Sequence, residues 1–531
     1  MGDGKQRLVT RADIARLTGV SRPAVTNWAR RHEDFPAPAG EQGDDRVEVF
    51  CADEVAAWLD TRAVPANARQ PGEAAGTTFG DRFRAEPGGP PGPDRADWAK
   101  AFRNAYDPYR ADLTWEEYLT LMPGLLFTRL EKPELWRRYT ADARFALEDQ
   151  QIPWRLAPDL FHPLLDVVER TIGGNPADGP AAFDQVLALL RDTENQRAAE
   201  FFTPSSVTQV MALALVPESG AVNGLHDPFC RSGELLTSWL EAAARRGLTP
   251  PRHISGRTPN SRARSWARMA VALRGVNAMF SDGAATPLAG PTEQPGTFDR
   301  VLSNPPFNVR MPDDATPAPH RRYGKPSTRG SNFDWLQYAV SLLTPEGMGA
   351  MVMPPGAAFT TSDGAIRRGM VEDGAVEAVV ALPTGLFAGT GIAVHLWFLR
   401  HPTGRADEVL FVDGGELGSM VSRTRRALSG PEVDDLVGEV TAWRRGRSAG
   451  TAHRGTPGLS RAVSVDEIAQ HGFRLDPAFL VHQAQAPSLS AQDVKRMRER
   501  VDRLTPRLRA LHEESVGIDR AVTERLEEYG L

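Results

Sequence analysis

Apolar and polar positions follow several distinct rhythms along the chain, and each predicts a different kind of element. In residues 1–62 apolar positions recur at helical spacing in three short stretches. Thr10 can cap a helix over 12–17, which Gly19 ends; Ser21, with Pro23 in the first turn, opens a second helix over 24–31. The alternation Arg46-Val47-Glu48-Val49-Phe50 reads as a strand, and Asp53 can cap a third helix over 54–60. Helix, glycine turn and capped helix make the helix-turn-helix pattern, with the strand as a wing.

The periodicity stops at 63–96, where Pro, Gly and Ala dominate and PGGPPGPD occupies 87–94; this stretch reads as a flexible linker. It returns at helical spacing over 97–197, where Trp98, Phe102, Tyr106, Trp115, Tyr118, Leu119 and Leu126 supply the apolar faces of an all-α domain. Over 198–412 short apolar runs alternate with amphipathic stretches, which predicts a doubly wound α/β domain. Residues 413–487 read as an extension of it. From 488 to 531 apolar residues recur at heptad spacing (Val494, Met497, Val501, Leu504, Leu508, Leu511, Ile518, Val522), so a long helix needing a partner is expected, kinked at Pro506.

Composition narrows the classes. No run of about 18 apolar residues is present, so no membrane span is expected. The opening MGDGKQRLVTRAD has no apolar signal core, and the chain is expected in the cytoplasm, associated with the nucleoid if it binds DNA. Two cysteines, Cys51 and Cys230, make neither a disulfide framework nor a four-cysteine metal site, and no metal is expected. The net charge of −6 leaves nucleic-acid binding open, because a local basic face decides it.

The candidate chemistry lies at the ends of predicted strands. Phe298–Ser303 reads as a buried parallel strand running into Asn304-Pro305-Pro306-Phe307. Open α/β sheets place their ligands at such strand ends. Two prolines stiffen the corner, so that the Asn304 amide oxygen and the Pro305 carbonyl can both face one amino group, while Phe307 offers a flat face to an extruded base. Asn-Pro is also a common turn start, which is the plainer reading of the tetrad. Upstream, Leu225-His226-Asp227-Pro228-Phe229-Cys230-Arg231-Ser232-Gly233 reads as strand and glycine-bearing turn before an amphipathic helix, a nucleotide-binding arrangement. A second strand (253–256), a helix (261–274) and a third strand ending in Ser281-Asp282-Gly283 follow it, and Glu200-Phe201-Phe202-Thr203-Pro204 precedes it.

In this order, EFFTP, DPFCRSG, SDG and NPPF resemble the amino-methyltransferases that serve as modification subunits of type I restriction-modification systems. The similarity continues through Asn332-Phe333-Asp334-Trp335, MGAMVMPPG (348–356), LPTGLFAGTGIAVHLWFLR (382–400) and SVDEIAQHGFRLDPAFL (464–480). It covers roughly 97–530; the N-terminal helix-turn-helix is an addition. The resemblance implies a Rossmann-like domain that transfers methyl from S-adenosylmethionine to N6 of adenine in DNA. It implies that Asn304 and Pro305 hold the adenine amino group, with Pro306 stiffening the corner and Phe307 stacking on the base. Asp227, Pro228 and Gly233 would line the methionine end of the cofactor, Asp282 would face its adenine, and Phe202, Thr203 and Pro204 would close over it. Structural roles compete with these: Asp227 as a helix cap, Asp282 as a turn residue, Phe202 as core. Double-stranded DNA and a separate specificity subunit are the implied partners, the latter on the 488–531 helix, with a restriction subunit as a further one. On the helix-turn-helix, Arg22, Asn27, Arg30 and Arg31 would face DNA, docking of a protein being the alternative.

Two positions depart from the family pattern. Arg231 stands where the first glycine of the loop is expected, and Thr258 where an acid would bind the ribose hydroxyls; Glu234, close in sequence, is one acid that could replace it. These departures motivate a second reading, a methyltransferase fold that binds DNA or regulates without turnover. A third is methylation of a protein or RNA.

Overall fold

The computed structural model describes residues 8–85 and 102–483 except for short internal stretches, chiefly 43–46, 66–77, 150–157, 173–178, 194–201, 284–292, 312–317 and 388–390. The heptad helix expected over 488–531 falls almost wholly outside the described residues.

At the N-terminus, β1 (Leu8–Thr10) leads into α1 (Arg11–Thr18) and α2 (Arg22–Arg31), followed by β2 (Gly40–Gln42), β3 (Val47–Cys51) and α3 (Ala52–Asp60). Thr10 caps α1 as its sequence suggests: its hydroxyl accepts from the Asp13 N–H at 3.2 Å, and the Asp13 carboxylate accepts the Thr10 N–H at 3.0 Å. Gly19 turns the chain with φ 67°. The expected wing strand, β3, pairs with β2 and also with β1, in the order β1-β3-β2. The stretch 63–96 read as a linker contains a helix, α4 (Phe79–Ala85), and its residues 86–96 lie outside the described ones. Phe83 is fully buried in one core with Ile14, Leu17, Val55 and Leu59. Only two large apolar residues, four apart, mark this helix among glycines and alanines.

Helices α5 (Trp115–Glu131), α6 (Pro133–Ala141), α7 (Ala143–Asp149), α8 (Pro158–Ile172) and α9 (Gly179–Thr193) follow. Thr114 and Glu117 form a capping box at the start of α5. The helices share a core of Leu119, Met122, Leu126, Leu164, Val168 and Phe183 that also takes in Phe202 and Trp266, residues of the α/β domain.

That domain starts with α10 (Ser205–Leu215), β4 (Gly224–Asp227), α11 (Glu234–Arg245), β5 (His253–Thr258), α12 (Ser261–Ala272), β6 (Met279–Asp282) and β7 (Phe298–Ser303). It continues through α13 (Asn332–Leu342), β8 (Leu343–Met353), α14 (Gly364–Glu372), β9 (Val376–Leu382), β10 (Val394–Arg400) and β11 (Glu408–Asp413). After a small hairpin, β12 (Ser419–Met420) with β13 (Arg426–Ala427), come α15 (Gly430–Ser448), β14 (Ser460–Ser464), α16 (Val465–Gln470) and α17 (Pro477–Gln483). One nine-stranded sheet runs in the order β14-β11-β9-β10-β8-β7-β4-β5-β6. Thus β14, from the stretch read as an extension, completes the same sheet by pairing antiparallel with β11.

Strands β9 and β10 are buried along nearly their whole length, and β7 and the C-terminal half of β8 likewise, as expected of strands covered on both faces. From β4 the chain goes outward through β5 and β6 on one side, then returns to build β7 and β8 on the other. The carboxyl ends of β4 and β7 therefore stand side by side at a switch point, where such sheets open a crevice.

Candidate active site

Two loops meet at this switch point. The first leaves β4 at Asp227 and enters α11 through Gly233, which adopts φ 86°. A Cβ there would sit 3.2 Å from the Ala267 Cα on α12, so both the backbone angle and the close approach require glycine. Arg231 has no such angle: the non-glycine residues at positive φ among those described are Asn308 and Phe473. Its side chain is buried, with the guanidinium 5.0 Å from the centre of the Phe229 ring.

The second loop leaves β7 at Ser303. Its hydroxyl donates to Asp227 Oδ1 at 2.7 Å and accepts the Phe229 N–H at 3.1 Å, and the same N–H reaches Asp227 Oδ1 at 3.0 Å. Asp227 thus ties the loop to the neighbouring strand and does not cap α11, whose N-cap is Gly233. Burial pushes its carboxyl up to about 7; the Ser303 bond opposes this and the nearby Glu234 charge adds to it. Beneath the loops His226 lies fully buried, bonded to Ser255 at 2.9 Å and stacked on Phe298, and burial pushes its imidazole down to about 4, so it stays neutral.

Asn304 is also buried, and its Nδ2 donates to Thr203 Oγ1 at 3.2 Å. Among the described residues no group donates to its amide oxygen. Thr203 is held in turn: its N–H donates to Glu234 Oε1 at 3.1 Å, while Glu234 Oε2 accepts the Ser232 N–H at 3.2 Å and hydroxyl at 2.8 Å. The Glu234 carboxylate is therefore engaged between the β4 loop and the segment that leads into α10. Thr258 is fully buried and donates to the Ser281 carbonyl at 3.2 Å.

Beyond the tetrad, Asn308 turns the chain with φ 54° and is clasped to Asn332 at the start of α13 by two bonds, of 3.0 and 2.8 Å. Pro305 is buried, and Pro306 and Phe307 are half-buried. Hydrogen bonds thus join Thr203, Glu234, Asp227 and Asn304 at this switch point, next to Gly233, with Pro204 as the N-cap of α10, while Phe202 packs in the helical core against Trp266. Asp282 stands apart, exposed at the end of β6, in register with Thr258 and paired to Arg264. Sequence reasoning missed Ser303, Asn308 and Asn332, whose roles are relations between strands or loops. Of the N-terminal candidates, Asn27, Arg30 and Arg31 are exposed on α2, with Arg30 donating to the Asn27 oxygen at 3.2 Å; Arg22 opens the same helix.

Comparison with known proteins fits this geometry. The profile of the N-6 DNA Methylase family matches residues 180–487. The HindI type I methylase subunit of Haemophilus influenzae is 28% identical over 312 residues, which are 57% of this chain and 68% of that one. The MjaIX type I methylase subunit of Methanocaldococcus jannaschii is 26% identical over 56% of this chain, and the match spans only 54% of that protein. Among solved structures, the type I methyltransferase subunit of Streptococcus thermophilus superposes with a TM-score of 0.56 at 18% identity, over 72% of this chain and 98% of that one. With the profile matched over more than half of its length, the chain belongs to the N-6 DNA methylase family, adenine-specific DNA methyltransferases that use S-adenosylmethionine.

Proposed function

We propose that the chain is the modification subunit of a type I restriction-modification system and that it methylates adenine N6 in the crevice between β4 and β7. One observation carries the assignment of the site: the Asn304 amide is anchored through Nδ2 at the rim of the switch point, and its oxygen is left without a donor among the described residues. The glycine-bearing loop fits the methionine end of S-adenosylmethionine. Gly233 holds the one backbone angle that the loop needs, and Asp227, Pro228 and the loop N–H groups border the same crevice. Phe202, Thr203 and Pro204 close it from the helical side, and Asp282 is the acid nearest the adenine end. The cofactor supplies an electrophilic methyl group on a sulfonium, and no metal is needed.

The protein's part is to bind, orient and exclude water. Asn304 Oδ1 and the Pro305 carbonyl accept the two N6 protons of an extruded adenine and turn its lone pair toward the donor. Phe307 stacks on the base. As N6 gains positive charge, these acceptors bind it more tightly than in the ground state. The surplus proton leaves to solvent.

Sequencing host DNA for N6-methyladenine, with the native gene and with Asn304→Ala, tests this. Methylation at one motif should be present with the native chain and fall at least about 100-fold in the variant, the scale of losing a transition-state contact. Unchanged methylation in the variant would remove the assignment of Asn304. An unmethylated native host would favour binding without turnover, the reading that Arg231 and Thr258 motivate. The partners in this reading are double-stranded DNA, a specificity subunit on residues 488–531, and a restriction subunit. Deleting 488–531 should abolish co-purification of the specificity subunit; an intact complex would refute that docking site.

A further inference from the structure

An asparagine amide has two orientations of nearly the same shape, and only one of them points oxygen at an adenine amino group. Asn304 meets Thr203 Oγ1 at 3.2 Å inside a buried contact, with both residues no more than 3% exposed. A hydroxyl has one proton to give and two lone pairs to receive. While the Thr203 proton is uncommitted, it could serve the Asn304 oxygen as readily as its lone pair serves the Asn304 nitrogen. Once another acceptor takes that proton, Thr203 can only accept from Asn304. The amide must then present Nδ2 to Thr203 and Oδ1 to the substrate.

The surroundings of Thr203 indicate what that other acceptor is. Its backbone N–H is fixed to Glu234, whose other oxygen holds Ser232 of the glycine-bearing loop. Thr203 therefore lies against the loop assigned to the methionine end of the cofactor. The ammonium of that moiety only donates, so its carboxylate is the group that can accept from the Thr203 hydroxyl. We propose that Thr203 is a positioning residue that locks the Asn304 amide in its adenine-accepting orientation when a cofactor carboxylate takes the Thr203 proton, so that base capture depends on an occupied cofactor site. This rests on the assignment of Asn304 made above. Glu234 is the strut that keeps the three groups in line.

The test uses the assembled complex and an oligonucleotide bearing 2-aminopurine at the target adenine, identified beforehand from the host methylation motif. S-adenosylhomocysteine, which carries the carboxylate, should raise the fluorescence of the extruded base. Methylthioadenosine, which lacks it, should not, at concentrations that saturate the site by titration. Thr203→Val should abolish the S-adenosylhomocysteine response and slow single-turnover methyl transfer about 10- to 100-fold at saturating cofactor, the scale of a misoriented contact. Thr203→Ser should restore both. Equal responses to the two ligands would overturn the proposal, as would a valine variant with native transfer or a serine variant as impaired as valine. A native rate in Asn304→Ala would instead strike at the underlying assignment, so the two failures are distinguishable.

Discussion

Replacing Asp227 by Asn should stabilise the methyltransferase domain at alkaline pH and weaken cofactor binding at the same time. The carboxyl is fully buried, and one oxygen, Oδ1, takes both described hydrogen bonds, from Ser303 and the Phe229 N–H. Asparagine can keep both through its own oxygen. What it removes is the burial of a charge, which raises the carboxyl from 3.8 to about 7. That difference corresponds to about 4 kcal/mol between the two protonation states. The sign follows from proton counting. Between pH 4 and 7 the folded chain holds a proton that the unfolded chain has released, so native stability falls as pH rises through that window and is level above it. Below about pH 4 the penalty is absent. The new Nδ2 must itself be desolvated, which returns roughly half of the gain, so a net of about 2 kcal/mol is expected at pH 8. For a domain of this size that is a rise of about 4–8 °C in the unfolding midpoint at pH 8, which falls as the charge penalty disappears and turns into a loss of a few degrees near pH 4.5, where the pH-independent cost of Nδ2 remains. Differential scanning fluorimetry at the two pH values, with calorimetric titration of S-adenosylmethionine at pH 8, reads both effects. A midpoint difference independent of pH, or a variant less stable at pH 8, would refute the reasoning.

Two further outcomes are expected. Arg30→Ala with Arg31→Ala should reduce DNA retention and flatten its salt dependence by up to about two phosphate contacts, measured by fluorescence anisotropy between 50 and 200 mM salt; an unchanged slope would favour a protein-docking role for α2. Asp282→Asn should weaken S-adenosylmethionine binding about tenfold by calorimetry, the lower end for a charge-assisted bond, because the carboxylate is exposed and already shared with Arg264. Unchanged affinity would remove Asp282 from the site.

The sheet and the switch point were legible because their residues announce themselves locally. Buried strands read as apolar runs, Gly233 marks a turn, and Asn-Pro-Pro-Phe marks a stiff corner at a strand end. The network that orients the corner was not legible, because Ser303, Thr203 and Glu234 act across sequence separations of 31 to 101 residues. The contact between Asn304 and Thr203 exists only after β7 has been laid beside β4 and α10 has been packed behind them. The seven-residue helix carrying Phe83 was hidden for a different reason: two phenylalanines in a glycine- and alanine-rich stretch give too short a pattern to separate from a linker, and only the waiting apolar faces of α1 and α3 decide it.

The two departures from the family pattern carry unequal weight in the folded chain. Arg231 imposes no left-handed strain, since the loop's positive φ belongs to Gly233, and its guanidinium rests on the Phe229 ring inside the protein. The charge lies near Asp227, where it opposes, as the smallest of several influences, the upward push of burial on that carboxyl. Thr258 is different. It offers no charge, and its hydroxyl already serves the Ser281 carbonyl. In the proposed site, a weakness would therefore lie at the ribose end and not in the loop. Asp282, on the edge strand β6 in register with Thr258, is the acid proposed to make up part of that loss. The corner proposed to grip adenine lies at the end of β7, its amide fixed by Thr203 and its turn by Asn332, and neither of those contacts involves position 231 or 258.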